Sequence, residues 1–401
     1  MLSTHLTPED TGRMHDMYRH LHANPELSMQ EEHTARYIET QLEQLGIEHF
    51  RCGGTGVVGV VCNGTGPVVG FRADTDGLPI KEDTGATYAS TATGILDDGT
   101  VVPLMHGCGH DTHVTAALTA AKLLLRQQQA WSGTVVFIFQ PGEETAAGAK
   151  AMVSDGLWDK APRPEVILGQ HVFPFPAGQV AVTSGNAMAL ADSLKVTLYG
   201  RQAHGSQPQD AIDPIVLGAH IITRLQTITS RELAPLSPAV VTCATFHGGL
   251  KENIIPDRAE FTLNIRTLTR EVREQVLAAV ERIVTAEAQA SNAPAPLIEH
   301  LYDFPRLYND PEHTDRVTAA LQAELGEEQV HFHEPKMGSE DVGWLGDSIG
   351  VPTVYWFFGG FDPADTSPPV NHSPHFLPLE EPTLSTGVRA ALASIGHYVA
   401  R

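Results

Sequence analysis

Cysteine is scarce in this chain: four thiols in 401 residues, at Cys52, Cys62, Cys108 and Cys243, with no Cys-x-x-Cys pair. That spacing excludes a disulfide framework and makes a reducing cytoplasm the expected home. Basic residues are also few, 26 Lys and Arg against 48 Asp and Glu, for a formal net charge of -22. So negative a field repels phosphate backbones and anionic lipid, so neither nucleic acid nor a membrane is the expected partner. An anionic substrate would then need a locally positive pocket, which metal ions or a placed arginine would supply. No apolar run approaches the ~18 residues of a membrane span. The opening "MLSTHLTPEDTGRMHD" lacks the basic and apolar regions of a secretory signal.

What is present is enough apolar material, 42% of residues, to fill two cores, and the length makes two domains the expectation. Residues 28–46 read as a helix, with Ser28 and Glu31 as a capping box, an apolar stripe through Ala35, Ile38, Leu42 and Leu45, and Gly46 as the stop. The runs "VVGVV" (57–61), "VVGF" (68–71), "VVFIF" (135–139) and "VILG" (166–169) are continuous, as in strands buried on both faces. A long Ala- and Leu-rich helix, roughly 112–129, separates the second from the third. Near residue 190 the texture changes to alternating strands at 190–199, 239–246 and 258–267 with helices near 211–230 and 270–289, a compact α+β unit. After about 304 the α/β texture returns and ends in a helix over 380–399. The expected fold is therefore α/β: a catalytic domain (1–188 and 304–401) with a central mixed sheet flanked by helices, carrying an inserted smaller α+β domain (189–303).

One short stretch concentrates ligand chemistry. "MHGCGHDTH" sets Cys108 and His110 two apart in a glycine-flanked turn ahead of the long helix. "VVFIFQPGEET" breaks a buried strand at Pro141-Gly142 and presents Glu143 and Glu144 side by side. "VILGQHVFPFP" ends a strand on His171, and "NHSPHF" holds His372 in a proline-containing loop. Alone, each has a plain reading as a core or surface residue. Four strand or helix ends bearing ligand types in one chain make a metal site, because sheets of this class place their sites there. Five ligand types and a spare carboxylate exceed what one closed structural zinc needs and suit two metals. Of two adjacent glutamates one ligates, and the other faces the substrate to move a proton. The glycine pattern "GTGVVG" (54–59) enters a strand instead of opening a helix, so it is no dinucleotide fingerprint.

With "HANPELSMQE", "FRADTDGLPI", "MHGCGHDTH", "QPGEE", "QHVFP", "AHGSQP", "GSEDV" and "NHSPHF" in order along nearly the whole chain, the sequence resembles the dinuclear-metal aminoacylase and carboxypeptidase family. Within it, the likeness is to the amidohydrolase branch of hippurate, N-acyl-amino-acid and auxin-conjugate hydrolases. The resemblance implies Cys108, His110, Glu144, His171 and His372 as ligands of two divalent ions, zinc or manganese foremost, with cobalt or nickel as alternatives. Cysteine would bridge where other branches use aspartate. It further implies Glu143 as general base, Asp76 as the acid that orients a ligand histidine, and His204 as a group that reaches the scissile carbonyl from the partner subunit of a homodimer or higher homo-oligomer. Asn253 and Arg266 would lie near the substrate, Arg266 either binding its carboxylate or serving as an ordinary strand residue. The chain departs from the branch at Gln202-Ala203 and at Gln209, which puts the substrate in doubt but not the metal chemistry, and it reads Asp76-Gly77-Leu78-Pro79 where Asp-Ala-Leu-Pro is frequent, a change the sequence does not explain.

The implied reaction is hydrolysis of the amide bond of an N-acyl amino acid. A dipeptidase or carboxypeptidase on the same metal site is the alternative, and a metal-dependent binding protein is a third reading that the spare glutamate disfavours. Phe173, Phe175, Trp356, Phe357 and Phe358 are candidates for an apolar acyl pocket or for plain core packing.

Overall fold

The four apolar runs become adjacent strands of one sheet in a computed structural model that describes residues 2–401. In spatial order six of its ten strands run Glu48–Cys52, Gly56–Asn63, Gly133–Gln140, Val68–Asp74, Val166–Pro176 and Thr353–Phe361. The first three pair antiparallel and the last four pair parallel, so the sheet is mixed, as expected. Val135 to Phe139 and Val166 to Leu168 are all fully buried, which is why their sequence shows no alternation. No helix is long and apolar enough to cross a membrane among the described residues.

Helix His110–Arg126 packs against both the first helix, Pro8–Ala23, and the last, Thr383–Val399. It begins two residues earlier than its composition suggests, so His110 is its first residue and Gly109 its cap. Gly109 sits at φ +81, and a Cβ there would lie 2.3 Å from Val172 Cγ1; only glycine admits both this backbone and this approach.

The helix expected over 28–46 is Glu32–Leu45, closed by Gly46 in the left-handed conformation. Its capping box does not form. Ser28 Oγ donates to Asp76 Oδ2 at 2.7 Å, and Glu31, fully buried, accepts from the Gly142 amide at 2.8 Å and from Thr55. Both capping candidates are drawn into long-range bonds that brace the turn after the Gly133–Gln140 strand. Gly53 and Gly54 make the turn of the antiparallel hairpin Glu48–Cys52/Gly56–Asn63. No helix follows it, in keeping with the rejected nucleotide reading.

The chain divides into two units. The first runs to Ala187 and resumes at Tyr308–Glu334 and Asp341–Arg401; the second is Met188–Leu307 with Pro335–Glu340. The sequence placed the second boundary at 303 and did not foresee the return of 335–340. That segment is held by main-chain bonds from Ala189 N to Lys336 O and Gly338 O. The second unit is a four-stranded antiparallel sheet in the order Ala239–Gly248, Arg258–Thr267, Leu190–Tyr199, Leu297–Phe304. Helices Pro214–Thr227 and Arg270–Ala290 cover it through Leu217, Ile221, Leu225, Val276, Val280 and Ile283.

Candidate metal centre

Two parallel strands end, a third passes and one helix begins at the same place in the first unit, so His171 lies in mid-strand and not at the strand end expected from the sequence. Strand Val68–Asp74 is followed by Asp76, strand Gly133–Gln140 by Glu143 and Glu144, strand Val166–Pro176 carries His171, and helix His110–Arg126 starts on His110. Cys108, His110 and Glu144 offer ligand atoms within 4.8 Å of one another. Cys108 Sγ lies 3.4 Å from His171 Nε2, and His372 Nε2 lies 3.3 Å from Glu144 Oε1. All five residues named from the sequence as ligands therefore meet, although they come from positions 108 to 372.

The protons on two of the imidazoles follow from their partners. His110 Nδ1–H donates to Asp76, 2.9 Å from its carbonyl oxygen and 3.1 Å from Oδ1. His171 Nδ1–H donates to Val172 O at 2.7 Å. Each ring thus turns its Nε2 toward the cluster, the orientation that a partner on the far nitrogen imposes on a metal-binding histidine. His110 Nε2 and Glu144 Oε1 are buried without a hydrogen-bond partner, 3.9 Å apart. Buried polar atoms left unbonded cost free energy, and a cation between them would remove that cost. The donor set, one thiol, three imidazoles and a carboxylate, fits zinc and the mixed-ligand first-row metals.

His113 also lies in the gathering with Asp74, His110 and His171, but it has no lone pair to spare. Its Nδ1–H donates to Asp74, and its Nε2 accepts from the Val172 amide at 2.8 Å. Asp74 in turn accepts from Arg72 Nη1 at 2.7 Å, and Arg72 reaches Gln140 and Asp341 at 3.0 and 3.2 Å. This sealed lattice lies against the cluster without belonging to it. The role of Asp74, His113 and Asp341 went unread in the sequence; the signal was an arginine and an aspartate inside the otherwise apolar "VVGFRAD".

The electrostatics are those of a cation-seeking pocket. Burial works against charge on His110, yet Asp74, Asp76 and Glu144 outweigh it and raise its pKa to about 10. Burial pushes the Cys108 thiol well up, reinforced by Glu144 and Glu143. Burial, then His113, holds His171 well below its ordinary value. Asp76 is held down against its burial by the His110 hydrogen bond.

His372 has a φ of +68, rare for a residue with a Cβ and a mark of local constraint. Its amide donates to Gly107 O at 2.8 Å, which ties its loop to the turn carrying Cys108. Glu143 is buried and Glu144 half-buried. Of the aromatic candidates, Trp356, Phe357 and Phe358 are buried within Thr353–Phe361, whereas Phe173 and Phe175 are half-buried.

The remaining named residues lie in the second unit. His204 and Asn253 are neighbours: His204 pairs with Ile254 across the small ladder Ala203–His204/Ile254–Ile255, and Asn253 O accepts from the Gly205 amide at 2.8 Å. His204 Nδ1 accepts from the Ser206 amide at 3.1 Å, which leaves Nε2 of the exposed ring as the N–H donor. Arg266 is half-buried, with Nε bonded to Asn264 Oδ1 at 2.8 Å and Nη1 to Ser339 Oγ at 3.0 Å. These bonds fix the guanidinium within its own unit.

The peptidase family M20/M25/M40 model matches residues 70–396. Thermostable carboxypeptidase 2 of Saccharolobus solfataricus is 34% identical over 379 residues, covering 93% of this chain and 92% of its own. Hippurate hydrolase of Campylobacter jejuni is 35% identical over 338 residues, covering 83% and 85%. Among solved structures, the Bacillus subtilis YXEP protein, a dinuclear metal binding peptidase from the M20 family, superposes with a TM-score of 0.78 at 29% identity, over 97% of this chain and 99% of that one. The motif order, the fold and the cluster converge on one conclusion: the chain belongs to peptidase family M20/M25/M40 and is a hydrolase.

Proposed function

We propose that the protein hydrolyses the amide bond of N-acyl amino acids, releasing a carboxylic acid and a free amino acid. The observation that carries the reading is the pair of buried, unbonded ligand atoms His110 Nε2 and Glu144 Oε1, with a second carboxylate, Glu143, adjacent in sequence. Cys108, His110, Glu144, His171 and His372 would hold two divalent cations, zinc or manganese before cobalt or nickel. When bound, such ions supply charge that acidifies a water and polarises a carbonyl. Glu143 takes the proton from the attacking water and delivers it to the leaving nitrogen, which must depart as a neutral amine. Asp76 holds the His110 ring through Nδ1 and the Glu144 backbone amide, at 3.0 Å, so one carboxylate orients two ligands.

His204 is the donor to the carbonyl oxygen, supplied by the second copy of a homodimer, and its Nε2–H is available for that bond. The edge strand Ala239–Gly248 is compatible with such a dimer: it is ten residues long and contains no proline or lysine, although a bulge at Cys243/Thr245 interrupts its register. Asn253 beside His204, and Arg266, are assigned to the substrate side, Arg266 to its carboxylate.

Carboxypeptidase action is the second reading, favoured by the relatives of that name at the same level of identity. Both reactions cleave on the nitrogen side of a residue with a free carboxylate and differ only in what precedes the bond. Free-amine release should therefore be measured on N-acetyl, N-benzoyl and longer N-acyl amino acids beside matched dipeptides and blocked peptides, with zinc, manganese and cobalt in turn. The proposal expects turnover on acylated amino acids above that on peptides. Turnover confined to peptides makes the protein a carboxypeptidase or dipeptidase, and none on any substrate with metals loaded removes the hydrolytic assignment.

A further inference from the structure

Outside the cluster, the first unit buries another histidine with both nitrogens committed. His22, near the end of helix Pro8–Ala23, is 1% exposed. Its Nδ1 lies 2.6 Å from Asp111 Oδ2 and its Nε2 3.0 Å from Glu82 Oε1. A ring with a carboxylate at each nitrogen must carry both protons to bond both, so His22 is an imidazolium. Burial alone would lower its pKa, but the two carboxylates raise it to about 9. Tyr18 and Tyr88 enclose the ring at centroid distances of 5.5 and 5.4 Å, an aromatic surround suited to a cation. With no lone pair left, His22 is not itself a ligand.

What the two carboxylates do next gives the cluster its interest. Asp111 follows His110 in the first turn of helix His110–Arg126, and its other oxygen accepts from the Thr112 amide at 2.9 Å. Glu82 accepts from the Ser90 amide at 2.6 Å and from Thr84, which shapes the turn 82–90. That turn is bonded to the loop of His372: Asp83 N donates to Pro374 O at 2.8 Å, and His375 Nδ1 donates to Asp83 O at 2.6 Å. One buried cation therefore reaches His110 through one carboxylate and the His372 loop through the other. Those two histidines approach the same Glu144 oxygen, at 3.9 and 3.3 Å.

We propose that His22 is a positioning residue of the metal centre, the charged pin that sets the spacing between the His110 helix end and the His372 loop. The proposal rests on the metal-centre reading above. It differs from simple stabilisation, because it requires the affinity for metal to depend on a residue that never touches it. Replacing His22 with Gln keeps polarity but removes the charge and one of the two bonds. The two segments then lose their common anchor, as partners behind metal ligands generally do at a cost of about 10–100-fold in affinity.

The test is cobalt(II) titration of the metal-free full-length protein, read by visible absorbance and by stoichiometry against a competing chelator. Wild type is expected to take two ions per chain. His22→Gln, verified as folded by circular dichroism, is expected to bind at least one of them about 10–100-fold more weakly with an altered spectrum, and to recover activity at saturating metal. Identical affinities and spectra, even with a lowered melting temperature, overturn the proposal and leave His22 a purely structural residue. Should His22→Gln not fold, Glu82→Gln decides by the same titration: weaker binding supports the pin, and unchanged binding overturns it. A wild type that binds no cobalt overturns the metal-centre reading as well, whereas a wild type that binds two ions and a variant that matches it overturn the pin alone.

Discussion

Asp76 and His110 form the bond on which the candidate site turns: Oδ1 stands 3.1 Å from Nδ1, while Oδ2 accepts the Glu144 amide at 3.0 Å. Asp76→Ala removes the carboxylate from the ring, which keeps only its 2.9 Å bond to the carbonyl of residue 76, and releases the Glu144 amide. Metal affinity should fall about 10–100-fold, with turnover recovering only in part at high metal. Equilibrium dialysis of the variant against graded metal checks this; unchanged affinity would confine Asp76 to folding.

Arg266 gives a substrate-side prediction. If its guanidinium binds the amino-acid carboxylate, Arg266→Ala should lose kcat/KM on free acids far more than on the matching primary amides. Only the acids lose a charge-assisted pair, roughly 1.5–3 kcal/mol or about 10–100-fold. Equal losses on both would mean that its bonds to Asn264 and Ser339 are its whole role.

His204 tests the shared site. His204→Ala and Glu143→Ala should each be nearly inactive alone. A heterodimer of the two restores one site with an intact Glu143 and an intact His204, and the other site carries both lesions. Activity should reappear on co-expression. Verified heterodimers as inactive as their parents would place His204 in its own chain's chemistry or outside catalysis.

The His22 clamp predicts a pH dependence of stability. Facing the ring are Asp111, Glu82, the phenols of Tyr18 and Tyr88, and, beyond these, His106 and the Arg19–Glu380 pair. Its pKa rises from 6.5 to about 9 on folding, so between those values the folded chain holds more protons than the unfolded one. The stabilisation is complete below about pH 6.5 and is lost as pH rises through about 9. The melting-temperature gap between wild type and His22→Gln should therefore narrow over that window; a constant gap would show that the ring carries no charge.

Much of the candidate site was legible because residue types suited to a metal stand out against apolar strands. Cys108, His110 and Glu144 stand where a helix begins and a strand ends, places marked by Pro, Gly and the close of an apolar run, whereas His171, read as a strand end, lies in the middle of Val166–Pro176. The supports were harder to read. Ser28 and Glu31 fit a capping box perfectly well locally, and only the fold shows that Asp76, Thr55 and the Gly142 amide compete for them. His113 has the same letter as the candidate ligands beside it, and its exclusion depends on the Val172 amide, 59 residues away. The return of 335–340 to the second unit depends on backbone bonds, which no side-chain pattern announces.

The central claim is a division of labour between adjacent carboxylates and a thiol, and metal content measured beside turnover tests it most directly. Glu143→Gln should retain the wild-type metal complement by elemental analysis while turnover falls about 10²–10⁴-fold, the usual contribution of a general base. Cys108→Ala should lose metal and turnover together. If Glu143→Gln sheds metal as severely as Cys108→Ala, or keeps its turnover, Glu143 is not the proton carrier and the account of the site is wrong.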